Sequence, residues 1–323
     1  MKTAGRLPMH NFFDNLCYMK GKQFHLIILL VAVLFSACSK STEQQQHEQR
    51  AERQRQQALY EAAFKVGVMP TLDCLPIYLL KDSLLYDTTK VDIRLRVFNA
   101  QMDCDTAIVG GSVQASITDV VRAERLKRKH LALTYFSATN NYWLLVANKK
   151  ARVKTLPQLS DKMIAMTRFS ATDMLTDMAL KQGKPKYDSY KVQINDILLR
   201  TKMIVNNEMD AAWFAEPQAT QLLALGHNVL FDSRKQQLQL GAIVLRTADI
   251  VKPQREKQLN EFTKAYNRAC DELNSRGLKY YRELIKRYMN VDDATIDRLP
   301  KLTFMQAVRP NQSDIDKAQA FLH

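Results

Sequence analysis

The sequence lacks a hydrophobic run long enough to cross a bilayer. Its main apolar stretch, LIILLVAVLFSA at residues 26–37, has 12 apolar or small residues. A bilayer core about 30 Å thick needs about 20 residues of helix, because each residue adds about 1.5 Å. A stretch of this length near the N-terminus is typical of the apolar segment of a secretory signal. A buried core helix is the alternative, and the polar run that follows the stretch argues against it.

The flanks of this stretch resemble those of a bacterial lipoprotein signal. Lys20 and Lys22 precede it, and it ends in Phe35-Ser36-Ala37-Cys38, with Phe35 where the usual pattern prefers Leu. The resemblance implies that residues 1–37 are removed and that Cys38 begins the mature chain and carries lipid. The protein would then be anchored to a membrane of the bacterial envelope, facing the periplasm or the cell surface. Met19 is a better-placed start than Met1, because MKGKQFH is a standard-looking basic leader.

Motifs of catalysis and of metal binding are also missing. The chain contains no GxSxG, no HExxH and no phosphate-binding loop. The histidines after residue 38 are scattered along the chain and singly placed, at His47, His130, His227 and His323. We therefore expect a protein that is not an enzyme and that holds no cofactor and no metal.

Bases outnumber acids, but they do not form a block typical of nucleic-acid binding. The net charge is +14 for the whole chain and +11 after residue 37. The densest basic run, RLKRKH at residues 125–130, has no interleaved aromatics and is typical of an exposed helix end. Because an exported protein meets no nucleic acid, the charge indicates solubility and attraction to anionic membrane surfaces.

Residues 39–57 (SKSTEQQQHEQRAERQRQQ) contain no glycine, no proline and almost nothing apolar. Such a segment cannot bury a core, so it is either disordered or a single solvated helix opened by the Ser41/Gln44 capping pair. As a helix its 19 residues would span about 28 Å. We predict that residues 38–63 are a tether between the lipid and a globular domain.

Strand and helix patterns alternate from residue 64 to the C-terminus, a length sufficient for two lobes with separate cores. The predicted strands are residues 65–69, 91–98, 113–117, 143–146, 163–166 and 210–214. The predicted helices are residues 75–85, 102–109, 119–129, 170–182 and 196–206, with two amphipathic stretches within 253–288. This order predicts an α/β protein with mostly parallel sheets covered by helices.

Four segments resemble, in the same order, segments of a family of periplasmic solute-binding proteins. They are KVGVMPTLDCLPIYLLKDSLLY (65–86), VKTLPQLSDKMIAMTRFSATDMLTDMAL (153–180), NNEMDAAWFAEPQATQLLALGHNVLFDS (206–233) and RLPKLTFMQAVRPNQSDIDKAQAFLH (298–323). The family contains the alkanesulfonate-, nitrate- and thiamine-pyrimidine-binding proteins. The chain departs from it at Gln114, where the family usually has an acidic residue in a Gly-x-hydrophobic-Asp turn.

The resemblance implies a flytrap of two α/β lobes, with lobe 1 at residues 64–134 and 236–323 and lobe 2 at residues 135–235. The lobes would close over a small molecule by hinges near residues 133–142 and 231–245. The expected role is capture of a solute and its delivery to an ABC-type permease and ATPase by a monomeric, lipid-anchored protein. A lipoprotein that senses a ligand or acts as a scaffold without a transporter is the alternative.

The resemblance also places the binding residues just after strands, where helix N-termini meet the cleft. The predicted ligand-binding residues are Thr71, Asp73, Asn99, Gln101, Thr118, Ser137, Thr139, Arg168, Ser170, Thr172 and Glu216. For some of them a purely local role is the alternative. Asp73, Thr118, Ser170 and Thr172 could be helix N-caps, and Arg168 an ordinary surface base.

The charges of the predicted cleft favour one class of ligand. Arg168 stands against the carboxylates of Asp73, Asp103 and Glu216, so we expect a neutral or cationic heterocycle or amine. A sulfonate or nitrate is the alternative. Four aromatic side chains could stack on a ligand or belong to the core, namely Tyr78, Phe136, Phe169 and Trp213.

Three cysteines follow Cys38, at Cys74, Cys104 and Cys270. Cys74 and Cys104 each lie near the start of a helix after adjacent predicted strands, and an exported chain permits a disulfide between them. A metal site and two half-buried free thiols are the alternatives.

Overall fold

The computed structural model of the chain describes residues 42–323. The predicted signal segment at residues 1–37, the predicted start at Met19 and the predicted lipidation site at Cys38 lie outside the described residues. Within residues 42–323, no helix is both long and apolar enough to cross a membrane.

The polar segment is a helix, α1, which spans Thr42–Ala62 and is a unit separate from the rest of the chain. Its side chains are exposed from residue 44 to residue 62. Neighbouring turns are linked by amide–carboxylate hydrogen bonds of 2.7 Å, from Gln56 to Glu52 and from Gln57 to Glu61. Of the two alternatives for this segment, the single helix is therefore the one observed.

Residues 63–323 form one unit of alternating strands and helices. The strands are β1 Phe64–Val68, β2 Ile93–Val97, β3 Ala115–Asp119, β4 Leu133–Ala138, β5 Leu144–Ala147, β6 Met163–Met166, β7 Tyr190–Gln193, β8 Ala211–Phe214, β9 Asn228–Asp232 and β10 Gly241–Arg246. The helices are α2 Leu75–Asp82, α3 Gln101–Val109, α4 Val120–Arg128, α5 Ala171–Gly183, α6 Ile197–Val205, α7 Gln218–Ala224, α8 Thr247–Ile250, α9 Pro253–Arg276, α10 Arg282–Met289, α11 Asp293–Asp297 and α12 Gln312–Phe321.

The strands form two five-stranded sheets, one in each lobe. The order is β2-β1-β3-β10-β4 in the first sheet and β7-β6-β8-β5-β9 in the second. In each sheet one strand, β10 or β5, pairs antiparallel with both of its neighbours, and the other pairings are parallel. Four of the five strands therefore run in the same direction, as the alternating pattern predicted.

The chain passes between the two sheets twice, at residues 139–143 and 233–240. The second passage lies inside the predicted hinge at residues 231–245, and the first extends one residue past the predicted hinge at residues 133–142. β4 extends to Ala138 and belongs to the first sheet, so that sheet continues four residues past the predicted lobe boundary at Thr134. The polar residues that follow β1, β3, β6 and β8 thereby meet between the lobes.

Several elements differ from the sequence prediction. β3 lies at Ala115–Asp119, two residues later than predicted, and β4, β7, β9 and β10 were not predicted. β7 is a short edge strand of four residues, most of them exposed, whereas β10 is buried at five of its six positions. All of β10 except Arg246 lies within the predicted hinge at residues 231–245, and its pairing with β3 and β4 joins residues far apart in sequence.

All three cysteines of the described residues are buried free thiols. The disulfide between Cys74 and Cys104 is therefore not formed, and the free-thiol alternative is the one observed. Burial raises the pKa of the Cys74 and Cys104 thiols, so both stay protonated at neutral pH. Cys74 Sγ instead accepts from the Met69 backbone N–H at 3.4 Å, which ties the loop after β1.

Candidate functional site

A cavity of about 60 Å³ lies between the two lobes. Its lining comes from the ends of β1, β3, β6 and β8 and from the N-terminal parts of α3, α5, α6 and α7. The lining residues are Met69, Thr71, Asp73, Gln101, Ile117, Thr118, Asp119, Asn141, Trp143, Thr167, Ser170, Thr172, Asn195, Ile197, Arg200, Trp213, Phe214, Ala215 and Gln218. Both lobes and the first passage between them therefore contribute to one site.

Backbone contacts join the lobes around this cavity. The Leu72 N–H donates to the Glu216 carbonyl at 2.9 Å, and the Ile197 N–H donates to the Asn99 carbonyl at 3.0 Å. The Gln218 side chain donates to the Pro70 carbonyl at 2.8 Å. The cleft is thus bridged on several sides, as in a closed flytrap.

Six of the predicted ligand-binding residues line the cavity, namely Thr71, Asp73, Gln101, Thr118, Ser170 and Thr172. Ser170 is also the N-cap of α5 and accepts from the Thr172 N–H at 3.1 Å. Thr118 lies within β3 and does not follow it. Ser170 therefore both caps α5 and lines the cavity.

The other five predicted residues are not in the lining, and they are Asn99, Ser137, Thr139, Arg168 and Glu216. Ser137 lies inside β4, where it accepts from the Val308 N–H at 3.2 Å. Thr139 Oγ1 donates to Asp73 Oδ2 at 3.3 Å, so Thr139 contacts a lining residue without itself lining the cavity. Asn99 is exposed, and its carbonyl is the acceptor for Ile197.

Arg168 and Glu216 have structural surroundings that the sequence did not reveal. The Arg168 side chain is exposed, with its guanidinium 5.7 Å from the Phe169 ring. The Glu216 carboxylate is buried and accepts from the Tyr142 hydroxyl at 2.8 Å and from the Thr220 N–H at 3.0 Å. Both of its oxygens are therefore occupied by the protein.

Of the four aromatic residues considered for stacking on a ligand, one lines the cavity and three do not. Trp213 lines the cavity, whereas Tyr78 stacks on Tyr288 with ring centroids 4.0 Å apart. Phe136 packs on Phe262 in the core of the first lobe, at 5.2 Å between centroids. Phe169 is partly exposed and contacts the Arg125 guanidinium at 4.3 Å from its ring centroid.

Two buried acceptor oxygens that line the cavity have no hydrogen-bond partner among residues 42–323. The Asp73 carboxyl accepts from Thr139 through Oδ2, and its Oδ1 is without a partner. The amide of Gln218 is oriented by its donor bond to the Pro70 carbonyl, so its Oε1 is the unpartnered atom. Burial raises the pKa of Asp73, because the carboxylate loses its hydration. A buried acceptor left unpaired costs about 1–3 kcal/mol, so these atoms favour a hydrogen-bond donor in the cavity.

Arg200 is the buried cation of the cavity wall. Its guanidinium donates to the Trp213 carbonyl at 2.8 Å, to Thr167 Oγ1 at 2.9 Å and to the Ile194 carbonyl. No carboxylate of the described residues forms an ion pair with it, and burial lowers its pKa to about 10. The guanidinium therefore retains its charge at neutral pH while most of its N–H groups are used by the protein.

Asp119 places a second carboxylate in the wall, at the end of β3. Its Oδ1 accepts from the Arg122 N–H of α4 and from the Ala171 N–H of α5, each at 3.0 Å. Burial raises the pKa of this carboxyl to about 7, and the neighbouring Arg122 lowers it while Asp105 raises it. One oxygen thus caps two helices that belong to different lobes.

We expect the free energy of unfolding to depend on pH through Asp119. The carboxyl has a pKa of 3.8 when unperturbed and about 7 in the folded protein, so the folded state holds an extra proton between these values. The stability contributed by Asp119 is full below pH 3.8 and falls as the pH rises to about 7, by on the order of 1 kcal/mol per pH unit. Equilibrium denaturation between pH 5 and 8 measures the effect. Asp119→Asn should lose this part of the dependence, and identical pH profiles for the two proteins would contradict the assignment.

Sequence reasoning missed several lining residues. Asp119 and Asn195 could have been found, since each precedes or begins a helix after a strand end, and Gln218 follows the Glu216-Pro217 pair that was singled out. Arg200 has no such signal, because it lies one turn inside α6 among ordinary helical residues. Within residues 42–323, no group of three or more His, Cys, Asp or Glu side chains is arranged to hold a metal ion.

The two mixed sheets, the double passage and the cavity between lobes define a periplasmic-binding-protein fold, the flytrap of ABC-transporter binding proteins. The chain belongs to the NMT1/THI5 like family, whose model matches residues 74–276. A comparison with curated proteins finds no significant match.

Solved structures with the same fold include three named binding proteins. The alkanesulfonate-binding protein SsuA from Xanthomonas axonopodis pv. citri, bound to MOPS, is 16% identical, with a TM-score of 0.67 over 80% of this chain and 91% of that one. The ligand-binding component of an ABC-type import system from Staphylococcus aureus, with zinc bound, is 16% identical, with a TM-score of 0.68 over 81% and 92%. The periplasmic nitrate-binding protein NrtA from Synechocystis PCC 6803 is 14% identical, with a TM-score of 0.61 over 76% and 74%. At these identities the likeness establishes the fold.

Proposed function

We propose that the protein is an extracytoplasmic solute receptor that closes its two lobes on a small hydrogen-bond donor and delivers it to an ABC-type importer. The observation that carries the ligand class is the pair of unpartnered buried acceptors, Asp73 Oδ1 and Gln218 Oε1, in one cavity wall. An ammonium, amidine or exocyclic amino group would donate to both. A cation there would also offset the burial that raises the pKa of Asp73.

The cavity volume limits what can sit between these oxygens. A cavity of about 60 Å³ holds roughly four to six waters, because on this measure each water needs about 10–15 Å³. The buried part of the solute is therefore a small group or a single ring, such as an amine, an amidine or an aminopyrimidine.

The same proposal includes the predicted arrangement in the cell. Residues 1–37 would be a signal, Cys38 would carry the lipid, and residues 38–63, which contain α1, would tether the receptor to the membrane. The polar and exposed surface of α1 supports the role of a solvated spacer. The periplasmic binding proteins that share the fold support an extracytoplasmic location.

A thermal-shift screen of the purified chain tests the ligand class. The panel contains methylamine, guanidine, acetamidine and an aminopyrimidine on one side, and nitrate and an alkanesulfonate on the other. A ligand at 100 times its Kd stabilises the folded state by about 2.7 kcal/mol, which corresponds to several degrees in Tm. We expect a shift with a donor ligand that is lost in Asp73→Asn. Asp103→Asn, an exposed carboxylate on α3 outside the cavity, is the matched control and should keep the shift.

An anion is the second candidate, and Arg200 is the observation that favours it. This buried guanidinium lines the cavity without an ion pair to a carboxylate. A shift confined to nitrate or the sulfonate, retained in Asp73→Asn, would replace the donor-ligand proposal with this one. No shift with any member of the panel would count against both.

A further inference from the structure

Three contacts join one face of α4 to one loop of the other lobe. The residues on α4 and its cap are Asp119, Arg122 and Arg125, spaced three apart, so they lie along one side of the helix. Their partners are Ala171, Arg168 and Phe169, within four consecutive residues between β6 and α5. One side of α4 thus contacts a single segment of four residues in the other lobe.

Each contact is of a different chemical kind. Asp119 Oδ1 accepts from the Ala171 N–H at 3.0 Å, and Arg122 Nη1 donates to the Arg168 carbonyl at 3.1 Å. The Arg125 guanidinium carbon lies 4.3 Å from the centroid of the Phe169 ring, which is a cation–π contact. Phe169 has a left-handed backbone with φ of 54°, which a phenylalanine adopts only when its surroundings hold it there.

Arg122 and Asp119 are themselves fixed by the first lobe. Arg122 is buried and donates to Asp105 Oδ2 through Nε at 2.6 Å, and its Nη2 contacts the same oxygen. Asp119 also caps its own helix through the Arg122 N–H. Because these contacts lie within the first lobe, they hold the side chains of Asp119 and Arg122 in place independently of the second lobe. This lowers the side-chain entropy that is lost when the lobes close.

We propose that Asp119, Arg122 and Arg125 form a latch that holds the lobes closed by gripping residues 168–171. This inference rests on the proposed function in one respect, since closing is the step by which a solute is captured. The latch residues would set the lifetime of the closed state, whereas Asp73 and Gln218 would select the solute. Loss of the Arg125 contact, which lies outside the cavity lining, should thus open the cleft without changing which ligands are preferred.

Amide hydrogen exchange of the purified full chain without added ligand tests the latch directly. The Ala171 amide is protected by a side chain of the other lobe, so its exchange rate reports on closure. We expect Asp119→Ala to accelerate exchange at Ala171 at least tenfold. Asp119→Asn, which keeps an acceptor oxygen, should change it less than threefold. Asp292→Ala is the matched control, because Asp292 also caps a helix and its carboxylate accepts from Thr295 of its own lobe.

Two further measurements separate the latch from a purely structural role. The amides of β6 should exchange at the wild-type rate in every variant, which shows that the second lobe stays folded. Arg125→Ala removes the ring contact and no cap, and it should accelerate exchange across residues 168–171 by about threefold or more. Unchanged exchange at Ala171 in Asp119→Ala, or equal acceleration in Asp292→Ala, would overturn the proposal. A negative ligand screen would leave this result unaffected, since no ligand is added.

Discussion

Replacing Trp213 by alanine is expected to lower the free energy of unfolding by about 3–5 kcal/mol, the range for a large aromatic side chain removed from a core. Trp213 is fully buried in β8, between β6 and β5 of the second sheet. Its indole N–H donates to Thr176 Oγ1 at 2.8 Å, and its ring meets Phe231 edge to face at 5.7 Å. The substitution would thus remove core contacts on one face of the sheet and a buried hydrogen bond at once.

Chemical denaturation monitored by circular dichroism measures this loss. Trp213→Phe is the informative companion, since it keeps a ring and removes the indole donor. The Thr176 hydroxyl still donates to the Thr172 carbonyl in that variant, so we expect a loss of only about 1–2 kcal/mol. Trp143→Ala, at the partly exposed tryptophan of the cavity wall, should cost less than Trp213→Ala. Equal losses at the two tryptophans would show that Trp213 does not anchor the second lobe.

The second large effect is expected at Asp105. Its side chain forms a buried ion pair with Arg122, and the two side chains are 10% and 3% exposed. Asp105→Ala would leave the Arg122 guanidinium buried without its counter-charge, which costs about 3–5 kcal/mol in proteins. We therefore expect a stability loss of that order in equilibrium denaturation.

The double variant Asp105→Leu with Arg122→Met provides the control for this interpretation. Replacing a buried pair by apolar side chains of similar volume is often close to neutral, so most of the loss should be recovered. Asp293→Ala breaks an exposed pair with Arg282 and should cost less than about 1 kcal/mol. If the double variant is no more stable than Asp105→Ala alone, the loss does not come from the unpaired guanidinium.

Elements with a local sequence signal were predicted correctly, and elements defined by pairing with distant strands were not. β6 at Met163–Met166 and α5 at Ala171–Gly183 agree with the pattern within a residue, because a short apolar run and capped helix ends are local signals. β7 and β10 were not predicted. β7 is an exposed edge strand, and β10 is defined by pairing with strands more than 100 residues away. Six of the eleven predicted ligand-binding residues line the cavity, and the rule that polar residues follow strand ends is what brought them together.

The amino-acid sequence by itself determined six of the ten strands, the α/β class, the solvated helix before the domain and the edge of each sheet at which polar groups collect. These properties follow from composition and from periods of two or 3.6 residues, which need no partner from elsewhere in the chain. Only the tertiary structure decided how each polar group is used. The Glu216 carboxylate accepts hydrogen bonds from Tyr142 and Thr220, and Arg168 is exposed. Asp73 and Gln218 each keep one unpartnered oxygen in the cavity. The reason is that a hydrogen bond across the cleft depends on the relative position of two lobes, and no local pattern encodes that position.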